Sequence, residues 1–220
     1  MTPERFAEVD HWIIRHLLPD DSILDEVLRA NAAAGLPGID VSRVIGSLLA
    51  LLVGVVRAHR VLEVGTLGGY SAIHMARALP EDGRLVTIEA NPRNAEVARA
   101  NFARAGLVRR IDLRVGQALD LLPGLVDEGH AFDFAFIDAD KENNAAYADW
   151  AATLVRPGGL VIIDNVVREG RITDEASRDP QLLGTRSLYA AMRMDRRFEA
   201  TAFQLVGTKG WDGLMIARRL

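Results

Sequence analysis

The chain is 220 residues and 24.1 kDa, 49% hydrophobic and 25% charged, a length and composition expected of one domain spanning residues 1–220 with a substantial core. Its net charge of −4 and pI near 5.8 offer no basic surface, so nucleic acid is not an expected partner, and the lack of cysteine excludes disulfides, thiolate metal sites and cysteine nucleophiles. The opening residues MTPERFAEVDHW lack the apolar core of a signal peptide, and the longest apolar stretch, Val44–Val56, is too short to span a bilayer. Cytoplasm without membrane association is the expected location.

Residues 1–58 read as a helical segment ahead of a core over 59–220. Phe6, Val9, Ile13, Ile14, Leu17 and Leu18 recur at helical spacing, and Pro19 ends that segment. Asp21-Ser22 is a cap for a second helix reaching about Ala34, followed by a loop over Gly35–Gly38. A third helix over about Ser42–Ala58 is apolar nearly all round, which predicts burial. From Arg60 the pattern alternates. Strand RVLEV precedes a Gly-rich turn and a helix over 70–79; LVTIE precedes a helix over 92–105; IDLRV precedes a helix near 117–126. FDFAFID, a helix over 143–154 and LVIID follow. Alternation of this kind predicts an α/β fold with a doubly wound, mostly parallel Rossmann-like sheet. Glu199–Val206 and Gly213–Arg218 have no helix between them and read as an antiparallel pair at a sheet edge.

Two of the predicted strands end in carboxylates: Asp138, Asp140 and then Lys141 after FDFAFI, and Asp164-Asn165 after LVII. In a parallel sheet, ligands bind beyond the carboxyl ends of the strands, so both runs deliver oxygen ligands to one crevice. Asp138, Asp164 and Asn165 are hard oxygen donors suited to Mg²⁺ or a similar divalent cation such as Mn²⁺ or Ca²⁺. Mg²⁺ prefers about six oxygens, so three from the protein leave room for two neighbouring hydroxyls and a water. That count favours a catechol-like phenolic acceptor. Taken alone, either motif is also an ordinary pair of strand-end acids.

The turn after the first strand, Gly65-Thr66-Leu67-Gly68-Gly69, has the wrong glycine spacing for a dinucleotide fold, and Glu63 precedes it. A carboxylate there suits a cationic ligand, as the ammonium and sulfonium of S-adenosylmethionine (SAM) are. Glu89 ends the second strand, where an acid accepts hydrogen bonds from ribose hydroxyls, and Gly116-Gln117-Ala118 ends the third. Competing readings are a nicotinamide-dependent oxidoreductase, disfavoured by Glu63 and the glycine spacing, and a SAM-binding module without catalysis, disfavoured by the intact acid set. The five histidines sit in no metal-ligand spacing, and Trp12, Trp150 and Trp211 read as packing residues.

On LEVGTLGGYS, FIDADKEN, IIDNVV and WDGLMIAR, the chain resembles the cation-dependent class I SAM O-methyltransferases, the family of the catechol and caffeoyl-CoA enzymes, over about Ile39–Leu220. The resemblance implies the class I methyltransferase fold, Mg²⁺ on Asp138, Asp164 and Asn165, and Lys141 as catalytic base. It implies a SAM site lined by Val41, Glu63, Gly65, Thr66, Ser71, Glu89, Ala118 and Asp138, with Asp140 near both ligands. It also implies a homodimer, for which Trp12, Ile13, Leu17 and Leu18 supply an apolar stripe; a lid over the active site is the other use of that helix. Two positions depart from the family pattern, Asn144 in place of tyrosine and Arg168 in place of tryptophan, both expected near the acceptor. Arg168–Thr185 reads as a loop facing the pocket if the family's layout holds, with Arg168, Arg171 and Arg178 as solvated charges and attraction of an acidic acceptor as the alternative.

Overall fold

A computed structural model describes residues 2–220. Three helices come first: α1 (Pro3–Leu17), α2 (Ser22–Ala33) and α3 (Arg43–Val55). Asp21 caps α2 by accepting the N–H of Leu24 at 3.1 Å, as its position before the apolar run predicts. The alternating portion then runs β1 (Arg60–Val64), α4 (Tyr70–Ala78), β2 (Arg84–Glu89), α5 (Pro92–Arg104), β3 (Ile111–Val115), α6 (Ala118–Asp127), β4 (Phe132–Ile137), α7 (Asn144–Leu154) and β5 (Val155–Asp164). It closes with α8 (Pro180–Met194), β6 (Phe198–Gly207) and β7 (Gly210–Arg219).

The seven strands form one sheet in the order β3-β2-β1-β4-β5-β7-β6. β1 to β5 are parallel, and β7 runs antiparallel to both β5 and β6, as expected for the final pair. Strand order reverses between β1 and β4, where Val64 is in register with Ile137. A doubly wound sheet opens a crevice at that reversal, because the flanking connections leave to opposite faces. Alternate residues of the strands face two apolar layers. Leu62, Val64, Ala135, Ile137 and Ile163 pack with α6, α7 and α8; Val61, Phe134, Phe136 and Ile162 pack with α2 to α5.

Three expectations are corrected. The helix α3 is not buried all round: Gly46, Leu49 and Val53 face the sheet layer, whereas Leu51 and Val55 are 67% and 76% exposed. Packing against α4 covers one face of this largely apolar helix and leaves the other in solvent. Trp12 and Trp211 are exposed, and only Trp150 packs on the core. The arginine-bearing loop ends earlier than its composition suggests, because α8 begins at Pro180. Asp179 caps that helix by accepting the Gln181 N–H at 2.9 Å, with proline in the first turn. No helix among the described residues is long and apolar enough to cross a membrane.

Candidate active site

A cavity of about 860 Å³ opens at the β1/β4 reversal, lined from the ends of β1, β2, β4 and β5, the 38–42 segment and the β6–β7 turn. Its floor is held by close backbone approach. Gly65 has φ +98°, and a Cβ there would lie 2.0 Å from the Asp138 carbonyl oxygen, so only glycine lets the first turn meet β4. Asp138 N–H in turn donates to the Val64 carbonyl at 2.8 Å. The glycine turn and the acid-bearing strand are thereby fixed to each other.

The carboxylate of Glu89 organises that turn. Oε2 accepts the N–H groups of Thr66 at 3.2 Å and Leu67 at 2.7 Å; Oε1 accepts Asn91 N–H at 2.9 Å and Asn94 Nδ2 at 3.2 Å. Glu63 lies behind the cavity wall, fully buried, and does not line it. Ser71, which does, donates to Glu63 Oε1 at 2.6 Å, and Thr87 donates to Oε2 at 2.6 Å. Burial pushes the Glu63 carboxyl up to about 8 despite those two bonds, and the charges of Asp138 and Glu89 push the same way. Glu63 therefore acts on the cavity through Ser71. Val41, Gly65, Thr66 and Ala118 line the cavity directly.

On the opposite wall, Lys141 Nζ donates to Asp138 Oδ1 at 2.8 Å, and the Tyr147 hydroxyl donates to Asp140 Oδ1 at 2.5 Å. Asp164 Oδ1 accepts the Asn165 N–H at 2.7 Å. Burial and the adjacent Asp138 charge push the Asp164 carboxyl up to about 7, with Lys141 opposing. Lys141 is the protein's own cation beside this pair, held on Asp138 Oδ1. Among the described residues no donor engages Asp138 Oδ2, Asp164 Oδ2 or the Asn165 side-chain oxygen. No group of three His, Cys, Asp or Glu side chains gathers as a metal site among those residues. Two carboxylates and an amide make an all-oxygen set that fits Mg²⁺ and is unsuited to softer ions.

Sequence reasoning missed residues whose partners lie far along the chain. Asp212 on β7 accepts the N–H groups of Val167 at 3.0 Å, Arg168 at 2.8 Å and Gly213 at 2.9 Å, all on Oδ1. It pins the turn after β5, where Asn165, Arg168 and Glu169 all have φ near +57°. Such left-handed backbone in non-glycine residues costs about 1–2 kcal/mol each, and persists only where surroundings impose it. Asp10 of α1, buried, accepts Thr208 N–H at 2.8 Å and occupies the space a side chain at Gly207 would need. Lys209 Nζ reaches the Gly38 carbonyl at 2.9 Å, joining the β6–β7 turn to the 38–42 segment. Asp10 carries no local signal; Asp212 lay within the WDGLMIAR motif, but its partners are 44 and 45 residues away. Of the two departures from the family pattern, Arg168 lines the cavity, and Asn144 is fully buried away from it.

Comparison with known proteins places the chain among O-methyltransferases. The family model for O-methyltransferases matches residues 16–220. A catechol O-methyltransferase of Mycobacterium tuberculosis is 48% identical over 210 residues, 96% of this chain and 94% of that one. Another from Niastella koreensis is 44% identical over 218 residues, 99% of each chain. The crystal structure of an O-methyltransferase from Bacillus cereus in complex with SAH superposes with a TM-score of 0.98 at 48% identity, covering 100% of both chains.

Proposed function

The chain belongs to the O-methyltransferase family, and from that premise we propose that it methylates one hydroxyl of a small catechol-like acceptor, using SAM as donor and a divalent cation such as Mg²⁺. The observation that carries the reading is that Asp138, Asp164 and Asn165, each with an unengaged side-chain oxygen, line the cavity that the glycine turn and Glu89 also line. The SAH complex of the Bacillus cereus relative supports SAM as donor, since SAH is what SAM becomes on losing its methyl group.

In this reading Val41, Gly65, Thr66, Ser71, Glu89 and Ala118 hold SAM, with Glu63 orienting Ser71 and Asp140 bordering both ligands. Methyl transfer forms the O–C bond as the S–C bond breaks, and the sulfur keeps the electron pair. The hydroxyl proton goes to Lys141 in its neutral amine form, which a cation bound beside it would favour over the ammonium. A cation bound by Asp138, Asp164 and Asn165 would supply stabilisation of the acceptor's anion and orient two adjacent oxygens. Turnover of catechol with SAM should require added Mg²⁺ or Mn²⁺ and cease with EDTA. Asp164→Ala should abolish it while SAM affinity stays within about threefold. Full activity of metal-stripped protein would exclude the cation's role.

The same chain pairs, in our reading, as a symmetric dimer. Val9, Trp12 and Leu17 on α1 and Leu51 and Val55 on α3 are large apolar side chains left exposed on two helices in contact. Light scattering should give twice 24.1 kDa, and Leu51→Glu with Leu17→Glu should halve it.

A further inference from the structure

We propose that Arg168 is the acceptor's anion anchor, so that the preferred substrate is a vicinal diol carrying a carboxylate. The proposal rests on the catechol-type reading above and deepens it. Of the three arginines in the segment after β5, two are engaged at the surface: Arg171 pairs with Asp179 at 2.7 Å, and Arg178 donates to the carbonyls of Glu175, Ala176 and Ser177. Arg168 instead lines the cavity.

Its guanidinium is poorly satisfied by the protein. One donor, on Nη2, reaches the neutral amide oxygen of Gln181 at 2.6 Å, while Nε is buried with no partner. No carboxylate lies within 4.0 Å of it among the described residues. A buried donor without a partner is costly, and an arginine without a counter-ion in a cavity is a site for an anion. Three further acids that line the same cavity are committed elsewhere. Asp10 holds Thr208 N–H, Asp40 accepts Asn31 Nδ2 at 2.8 Å, and Asp212 holds three main-chain N–H groups. Glu169 is exposed to solvent. Lys141 is occupied by Asp138 and Lys209 by the Gly38 carbonyl.

Arg168 is also pre-placed. It lies three residues beyond Asn165 on the turn that Asp212 clamps, and its own φ of +56° is fixed by that clamp. Asp164 and Asn165, two of the three proposed cation-binding residues, thus lie at the start of the clamped turn that carries the guanidinium, so an acceptor seated on them has the fork on the same segment. A planar guanidinium matches a carboxylate through two parallel hydrogen bonds, which a lysine cannot reproduce.

The test compares catechol with protocatechuate, its ring-carboxylated analogue, in wild type, Arg168→Gln, Arg168→Lys and the surface control Arg178→Gln. Wild type should favour protocatechuate by about tenfold or more in kcat/KM, mostly through KM. Arg168→Gln should lose about tenfold to a hundredfold on protocatechuate, far more than on catechol, and Arg168→Lys should fall between. Arg178→Gln should keep both values. Equal losses on both acceptors, or no preference in wild type, would overturn the assignment. If neither compound is methylated, the reaction reading fails separately, and calorimetry still decides Arg168: protocatechuate must bind wild type more tightly than it binds Arg168→Gln, and equal affinity rejects the anchor.

Discussion

Lys141 Nζ lies 2.8 Å from Asp138 Oδ1, and this pair forms one wall of the cavity beside Asp164. The lysine is 8% exposed in its side chain, so it is held in place before any ligand arrives. Replacing it with methionine keeps the stem and removes the proton acceptor. Lys141→Met should lower kcat by about 10²–10⁴-fold, the usual span for a general base, with little change in SAM affinity. A kcat within tenfold of wild type in steady-state assays would remove Lys141 from the chemistry.

Glu89 has a double task, because its four acceptor positions are already taken by Thr66, Leu67, Asn91 and Asn94. In the proposed reading SAM's ribose shares or displaces one of these; of the two 3.2 Å bonds, from Thr66 and Asn94, the side-chain one from Asn94 is the more replaceable. Glu89→Ala should weaken SAM binding by about thirtyfold or more and also lower the melting temperature, since the turn loses two main-chain partners. Asn94→Ala should cost less than about tenfold. Titration calorimetry beside thermal melts separates the two effects; unaltered SAM affinity in Glu89→Ala rules out the ribose role.

Asp212 touches no expected ligand, yet it fixes the backbone that carries Asn165. Supporting residues of this kind typically change metal affinity by about 10–100-fold. Asp212→Ala should weaken Mn²⁺ binding by that order, read by electron paramagnetic resonance without any turnover. Asp212→Asn keeps an oxygen where Oδ1 accepts all three N–H groups, and should restore most of the affinity. Equal Mn²⁺ affinity in wild type and Asp212→Ala would leave the clamp without consequence for the site.

His74 on α4 is 8% exposed, packs into the notch left by Gly46 on α3, and has no partner for Nε2. Burial, reinforced by the charges of Arg77 and Arg43, pulls its pKa from 6.5 down to about 4. The unfolded chain therefore binds this proton between pH 6.5 and 4 while the folded chain does not. Its contribution is fully present above about pH 6.5, is lost as pH falls through 4, and amounts to about 3 kcal/mol. Urea melts across that window should show a smaller slope with pH in His74→Met than in wild type. Parallel slopes would mean that His74 already carries its proton in the fold.

The chain order of helices and strands was legible because it rests on local physics. Apolar runs of five or six residues ending in Asp138, Asp164 and Glu89, capping at Asp21, and the glycine turn at Gly65 all act over a few residues. The position of the acids at strand ends also fixed which residues would meet, since parallel strands present their carboxyl ends to one side. The helix α8 was equally local, announced by Asp179-Pro180, and was missed only because the arginines around it read as loop.

What the tertiary structure alone decided involves residues with no sequence neighbourhood in common. Asp10 meets Thr208 across 198 positions, and Asp212 meets the turn after β5 across 44 and 45. The largely apolar α3 is covered by α4 on one face only, leaving Leu51 and Val55 outside. Arg168 looked the same as Arg171 and Arg178 in sequence, and became distinct only when the Asp212 clamp turned its backbone into the left-handed region at the cavity wall. Periodicity and turn chemistry are short-range, so a sequence displays them; the partner of a buried carboxylate is chosen by how whole elements pack, and that choice exists only in the folded chain.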